Sequence, residues 1–282
     1  MFTISAITDQ ASMDFYFALN FISDLGVNTV EIHALWDKNI EELTDDEVAK
    51  AKELVSRYGM SVSNISSTLF LCCPLTGEDK TYGPIDDYFI TIDGNYKFHM
   101  EMLDRCIRLA DEFKTDYIRF FPFIEDAEIP EKDMVKTVGD VLCEPIEKAK
   151  QAGKTILLEN CPHTYLFSGA MVGEAIETGG FTNLKSLWDP GNTYRAGGNP
   201  FPEDYEKVAP HIAHIHFKDV TEEKKMVPLG EGVLDYKAIV KRLIDDGYSG
   251  TVSLEPEFVD PQNGREGGLK RAYEGLQKII GN

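Results

Sequence analysis

Apolar positions along the chain switch repeatedly between two periods. Short runs rich in Val, Ile, Leu, Thr and Phe recur at 3–7, 29–33, 61–66, 117–121, 155–160, 184–189, 211–217 and 250–255. Their length and composition predict strands. Between them the spacing becomes helical. In 13–25 the apolar residues fall at 15, 18, 19, 22 and 25. The stretch 44–58 opens Thr44-Asp45-Asp46-Glu47, a capping box with acids in its first turn, and Gly59 follows it. In 97–113 they fall at 98, 102, 103, 106, 107, 109, 110 and 113. Stretches 131–152, 235–246 and 269–280 run up to Gly153, Gly247 and Gly281, the residue that most often ends a helix. Shorter helices fit 170–178 and 203–208.

Eight strands alternating with eight helices predict parallel strands joined by right-handed crossovers. Repeated over 1–282, the unit predicts one (β/α)8 TIM-barrel domain, a fold of typically about 250 residues. An open doubly wound sheet would carry a glycine-rich turn after its first strand. Here that strand runs into Thr8-Asp9-Gln10. The longest irregular stretch, at about 72–94, holds Pro74, Gly77, Gly83 and Pro84 among acids and aromatics. It follows the third strand, on the face where barrel sites are built, and is expected to be a lid or site wall.

Charge narrows the possible partners. Asp and Glu number 48 against 28 Lys and Arg, for a net charge of -20. Nucleic-acid and anionic-membrane surfaces select basic proteins, so neither is an expected partner. No apolar run approaches the ~18 residues of a membrane span. The first ten residues have no basic segment and meet Asp9 early, which predicts no secretory leader. Cysteines at 72, 73, 106, 143 and 161 are odd in number and form no CxxC pair. They are expected to be free thiols in a reducing, cytoplasmic setting.

The chemistry collects at the ends of strands five to eight. These read Leu158-Glu159-Asn160, Trp188-Asp189-Pro190, His214-Ile215-His216 and Leu254-Glu255-Pro256. Adjacent strand ends bring three carboxylates and an imidazole together, and such acids repel one another unless a proton or cation intervenes. Glu159, Asp189, His216 and Glu255 form a hard, oxygen-rich set suited to one divalent metal. Mn²⁺ is the leading choice, with Mg²⁺, Co²⁺ and Zn²⁺ also accepted. Period-two parity agrees: Leu157 with Glu159, His214 with His216, and Ser253 with Glu255 share strand faces.

These residues and the strings LLEN, WDPGN, HIHFKD, SLEPE and PLGEGVLD resemble the sugar phosphate isomerase/epimerase family. That family has the xylose isomerase-like barrel and belongs with the AP endonuclease family 2 superfamily. The resemblance runs in order through nearly the whole chain. It implies a single divalent metal on Glu159, Asp189, His216 and Glu255. It also implies that Glu159 and Glu255 act as acid and base, one removing a proton beside a carbonyl and the other returning one on the opposite face. The implied activity is isomerisation or epimerisation of a keto-sugar or oxidised sugar derivative.

Three positions depart from the ketohexose epimerases. Asn192 stands where they carry His, Tyr165 where they carry an acid, and Glu222 where they carry Arg. This points away from free ketohexoses. A lyase or dehydratase of the inosose dehydratase or oxidised C-glycoside-cleaving type stays open, because it begins with the same proton abstraction. So does a non-catalytic sugar-binding or accessory subunit. Asn192 also breaks the three-metal pattern of the endonucleases.

Lys218, two residues past His216, is a candidate for stabilising developing negative charge. His33, His163, Asn192 and Arg195 are candidate substrate-binding residues, with Glu31 on the same strand face as His33. Trp36, Phe70, Tyr82, Phe121 and Phe123 are aromatic candidates for stacking on a sugar ring, and parity turns Trp188 away from the site. The expected partner is a small-molecule carbohydrate. A homo-oligomer remains possible, although no interface pattern is visible.

Overall fold

A computed structural model describes residues 2–75 and 89–281 of the chain. The residues Glu78, Asp79, Tyr82, Asp86 and Asp87 of the expected lid lie outside the described residues. Eight strands form a closed barrel: β1 (Thr3–Ile7), β2 (Thr29–Ile32), β3 (Ser61–Ile65), β4 (Tyr117–Phe120), β5 (Thr155–Glu159), β6 (Leu184–Trp188), β7 (Ile212–Phe217) and β8 (Thr251–Leu254). Every neighbouring pair is parallel, and β8 closes on β1 with Thr3 opposite Thr251. Each of the eight predicted strands is present within a residue or two of its expected ends.

Helices α1 (Phe15–Asp24), α2 (Asp45–Arg57), α3 (Tyr96–Glu112), α4 (Glu131–Gln151), α5 (Gly169–Gly179), α6 (Pro190–Arg195), α7 (Tyr205–Val208), α8 (Tyr236–Asp245) and α9 (Gly264–Ile280) lie between and after them. The expected capping box opens α2: Glu47 N–H donates to Thr44 Oγ1 and Thr44 N–H to Glu47 Oε2. Two differences from expectation have local causes. The six-residue α6 carries Pro190 and Gly191 in its first turn and shows no apolar period. Helix α9 starts five residues before the predicted 269, because Gly264, Gly267 and Gly268 look like a loop in sequence.

Strand parity sorts the core into two layers. Ile118, Phe120, Ile156, Leu158, Ile215, Phe217, Val252 and Leu254 are buried and join the apolar stripes of the helices in one continuous cluster. Burying each such side chain contributes roughly 1.5–3 kcal/mol. The opposite parity faces the barrel axis and carries Glu31, Arg119, Glu159, His214, His216 and Ser253, all buried. A contact from His216 on β7 to Glu31 on β2 spans the axis, since β1 and β8 separate those strands.

Asp219 organises the PLGEG loop after β7. Its carboxylate accepts the backbone N–H of Val220, Gly230, Gly232 and Leu234 at 2.9–3.4 Å. A Cβ on Gly232 would sit 2.2 Å from the Asp219 carboxylate, so only glycine admits this approach.

Phe70, with φ of 68°, donates its N–H to buried His99 Nδ1 at 3.0 Å. Burial lowers the His99 pKa to about 4. The unfolded chain therefore takes up this proton first, and the associated stability, present above pH ~6.5, is lost as pH falls towards 4. His99→Asn keeps an acceptor for Phe70. It is expected to lose about 2 kcal/mol less than wild type between pH 7 and pH 5, as read from urea midpoints. Equal losses would show that His99 does not titrate on unfolding.

Candidate metal centre

Glu159 ends β5, Asp189 follows β6, His216 lies near the end of β7 and Glu255 follows β8. Their backbones continue the barrel ladder, with Glu255 N–H donating to the Phe217 carbonyl at 3.1 Å. One donor atom from each of the four lies within 4.8 Å of the others, and all four residues are buried.

Local structure aims each donor. Asp189 caps α6, its Oδ1 accepting the Asn192 N–H at 2.8 Å, which leaves Oδ2 for the cluster. Asn160 braces this turn, accepting the Asp189 N–H at 2.9 Å and donating to its carbonyl at 2.9 Å. His216 Nε2 lies 3.0 and 3.1 Å from the two oxygens of Glu31. A carboxylate only accepts, so Nε2 carries the proton and Nδ1 turns to Glu255, at 3.1 Å, and Glu159, at 3.4 Å. Glu31 also accepts from Ser66 at 2.6 Å and meets His214 Nε2 at 2.9 Å. Glu31, His214 and His216 thus satisfy one another, and that trio supports the centre.

Two buried cations balance the acids. Arg119 Nη1 donates to Glu159 Oε2 at 3.1 Å, while its other nitrogens donate to the Ser66 and Ser67 carbonyls at 3.0 Å. Lys218 Nζ lies 3.0 Å from Asp189, 2.6 Å from Glu255 and 2.6 Å from Glu257. A Cβ on Gly191 would come within 2.5 Å of Lys218 Cγ, so this glycine makes room for the lysine stem. Burial raises the Asp189 pKa to about 7 against the pull of Lys218. Burial also pushes Glu255 up, but Lys218 and His216 outweigh it and hold Glu255 below the usual carboxylate range. For His216, burial opposes protonation, and Glu31, Glu255 and Glu159 overcome it and raise its pKa.

The residues fit a divalent cation on a further observation. Asp189 Oδ2, His216 Nδ1 and Glu255 Oε2 are buried and meet ion-pair neighbours only, with no well-aligned hydrogen bond among them. Buried polar atoms are rarely left so. Three carboxylates and one imidazole suit a hard or borderline dication. Glu159, Asp189, His216 and Glu255 would hold it.

A narrow cleft of about 50 Å³ opens at the cluster, with Glu159 and Glu255 in its lining. Its walls include Leu71, Phe89 and Phe121 on one side and His163, Asn192, Arg195, Lys218 and Glu257 on the other. Of the residues singled out in the sequence outside the four, the structure brings Phe121, His163, Asn192, Arg195 and Lys218 to this cleft. Asn192 donates to Glu159 Oε1 at 3.2 Å and to the Asn160 carbonyl at 3.1 Å. His163 is exposed at the mouth with φ of 69°.

His33 is not among the lining residues. Its Nε2 donates to the Ile90 carbonyl at 3.0 Å, its Nδ1 lies 3.3 Å from Asp9, and its ring stacks on Phe89 at 4.2 Å. Phe70 and Phe123 are core residues, and Trp36 packs edge-on against Phe15. Trp188 turns away and donates to Asp204 at 2.9 Å. Tyr165 donates to Asp126 at 2.8 Å, tying down the loop after β4. Glu222 is exposed in a turn. All five cysteines are free.

Sequence reasoning missed Arg119, Glu257 and Phe89, and left the contact of Glu31 with His216 unassigned. Arg119 was signalled by its place inside the apolar run Tyr-Ile-Arg-Phe-Phe, where a charge needs a buried partner. Glu257 lies two residues past Glu255, as Lys218 does past His216.

A parallel eight-stranded barrel with this acid–imidazole cluster at its strand ends defines a (β/α)8 protein whose donor set fits one cation. The chain belongs to the xylose isomerase-like TIM barrel family, which it matches over residues 19–279. It is 28% identical over 126 residues to inosose dehydratase of Yersinia enterocolitica, covering 36% of this chain and 41% of that protein. The chain spans about half or less of the length of the curated relatives it matches. Its fold is similar to that of the IOLI protein solved with a bound zinc atom, with a TM-score of 0.74, 18% identity and coverage of 99% and 98% of the two chains. It is also similar to 3-keto-D-glucoside 4-epimerase, YcjR, from E. coli, with a TM-score of 0.69, 15% identity and complete coverage of both chains. Among the described residues no helix is long and apolar enough to cross a membrane.

Proposed function

We propose that this chain is a divalent-metal-dependent isomerase or epimerase of a keto-sugar or oxidised sugar derivative. The observation that carries this is the four-donor cluster of Glu159, Asp189, His216 and Glu255, buried with donor atoms within 4.8 Å of one another beside a cleft that Glu159 and Glu255 line. Glu159, Asp189, His216 and Glu255 would hold a dication, Mn²⁺ by preference, which would supply Lewis acidity toward a substrate carbonyl. The chain's own residues move the proton. One of Glu159 and Glu255 takes it from the carbon beside the carbonyl, and the C–H electron pair passes into the enolate. The other glutamate returns a proton to the same carbon on the opposite face. Arg119 holds Glu159 in place, and Lys218 stands where negative charge develops. The sugar is the expected partner in the cleft, and no nucleic acid is required.

A lyase outcome is favoured by one observation, the match to an inosose dehydratase. Enolisation would be shared, and a β-hydroxyl would then leave as water.

The test begins with metal content by elemental analysis. About one equivalent is expected in wild type and much less in Glu255→Gln. Metal-loaded protein is then incubated in D₂O with a panel of keto-sugars and ketocyclitols. Deuterium should enter the carbon beside the carbonyl at least 10²-fold faster with wild type than with Glu255→Gln. Wash-in with retained hydroxyls marks an epimerase, and loss of water marks a lyase. Saturable binding without wash-in would overturn both in favour of a binding role.

A further inference from the structure

The rim of the cleft carries three charged groups. Glu257 bridges two cations, with Oε1 at 2.6 Å from Lys218 Nζ and Oε2 at 3.2 Å from Arg195 Nη1. Glu257 is 20% exposed and Arg195 29%, whereas Lys218 is 2% exposed. The bridge therefore runs from solvent to the floor. Glu257 sits at φ of 44°, in the left-handed region that a non-glycine residue adopts at a cost. Its N–H donates to Gln10 Oε1 at 2.9 Å, which pins it in that conformation.

Lys218 has three carboxylate partners in this arrangement, and two of them, Asp189 and Glu255, belong to the four-donor cluster. A dication there takes over the negative charge of those two oxygens and repels the ammonium beside them. Lys218 and Arg195 are then left sharing Glu257 alone. Two cations facing one carboxylate at a partly desolvated rim lack one negative charge. Arg119 does not change this balance, because Glu159 and two carbonyls already engage it.

We infer that the substrate carries a carboxylate, which Lys218 and Arg195 bind at the place Glu257 now bridges. The inference rests on the metal-dependent site proposed above and adds the substrate class. The carboxylate of Glu257 shows the geometry that fits: planar, with one oxygen to an ammonium and the other to a guanidinium. His163 at the mouth supplies a further donor beside it.

The test uses full-length protein whose metal content is measured in the same sample. Dissociation constants for D-glucuronate and quinate are compared with those for neutral D-glucose and myo-inositol by calorimetry, with D-glucose 6-phosphate as a further arm. The carboxylates are expected to bind at least tenfold more tightly than their neutral counterparts. Arg195→Gln should remove most of that ratio. Glu257→Gln should increase it, because the internal competitor is gone. Chelating the metal should shrink the ratio, as Lys218 returns to Asp189 and Glu255.

Equal affinities for acids and neutral sugars, failure of both carboxylates to bind, or an Arg195→Gln ratio equal to wild type would overturn the inference. The phosphate ester binding more tightly than glucuronate would overturn the carboxylate in favour of a tetrahedral anion. A protein that takes up no metal overturns the earlier proposal and this one together. A metal-loaded protein without acid preference overturns this one alone.

Discussion

Lys218→Met protein stripped of metal is expected to be about 3–5 kcal/mol less stable than stripped wild type, the cost of removing one partner from a buried ion pair. Methionine keeps most of the stem volume, so the room left by Gly191 stays filled. What disappears is the ammonium at 3.0 Å from Asp189 and 2.6 Å from Glu255 and Glu257. Saturating divalent metal should narrow the gap by about 1.4 kcal/mol, by neutralising two of those acids and stabilising the folded variant more than the folded wild type. The variant should also bind the metal about tenfold more tightly, a difference of ~1.4 kcal/mol, because ion and ammonium no longer compete. Urea unfolding with and without metal reads both effects. A deficit of equal size in both conditions would show that Lys218 packs the barrel without serving the cluster's charge.

Glu31→Ala should weaken metal binding although Glu31 is not one of the four residues that would hold the ion. The carboxylate fixes the His216 proton on Nε2 and leaves Nδ1 free for the cluster. Loss of such a partner typically costs 10–100-fold in metal affinity. Folding should suffer too, because His214 and Ser66 also bond to Glu31 in a fully buried setting. Glu31→Gln separates the two roles. Its amide oxygen can still accept from His216, so affinity should fall only part of the way. Competition with a chelating dye measures the affinity, and unchanged affinity in Glu31→Ala would remove His216 from the ligand set.

The barrel was legible because its two periods are clean. Helices carry one apolar stripe and strands carry two faces, and in β5, β7 and β8 the polar parity coincides with the axis. The four clustered residues were legible because Glu159, Asp189 and Glu255 each close an apolar run and His216 interrupts one. What pairing across the axis decides was not. Glu31 and His216 are 185 residues apart, and nothing in either strand names the other. His33 and Glu31 share strand parity, yet only Glu31 turns inward, because β2 ends at Ile32 and His33 is captured by Ile90 and Asp9. Helix α6 escaped detection because it is six residues long and shows no apolar period, although its cap, Asp189, is also a member of the cluster.

All four clustered residues come from β5 to β8 and their immediate ends, roughly the last half of the chain. Strands β2 and β4 contribute Glu31 and Arg119, which hold those residues in position, and the first half also supplies the aromatic wall of Phe89 and Phe121. The acid–imidazole cluster and the aromatic wall therefore lie on separate stretches of sequence. Substitutions in the early strand-to-helix connections can reshape that wall while the later half keeps the same cluster of carboxylates and imidazole.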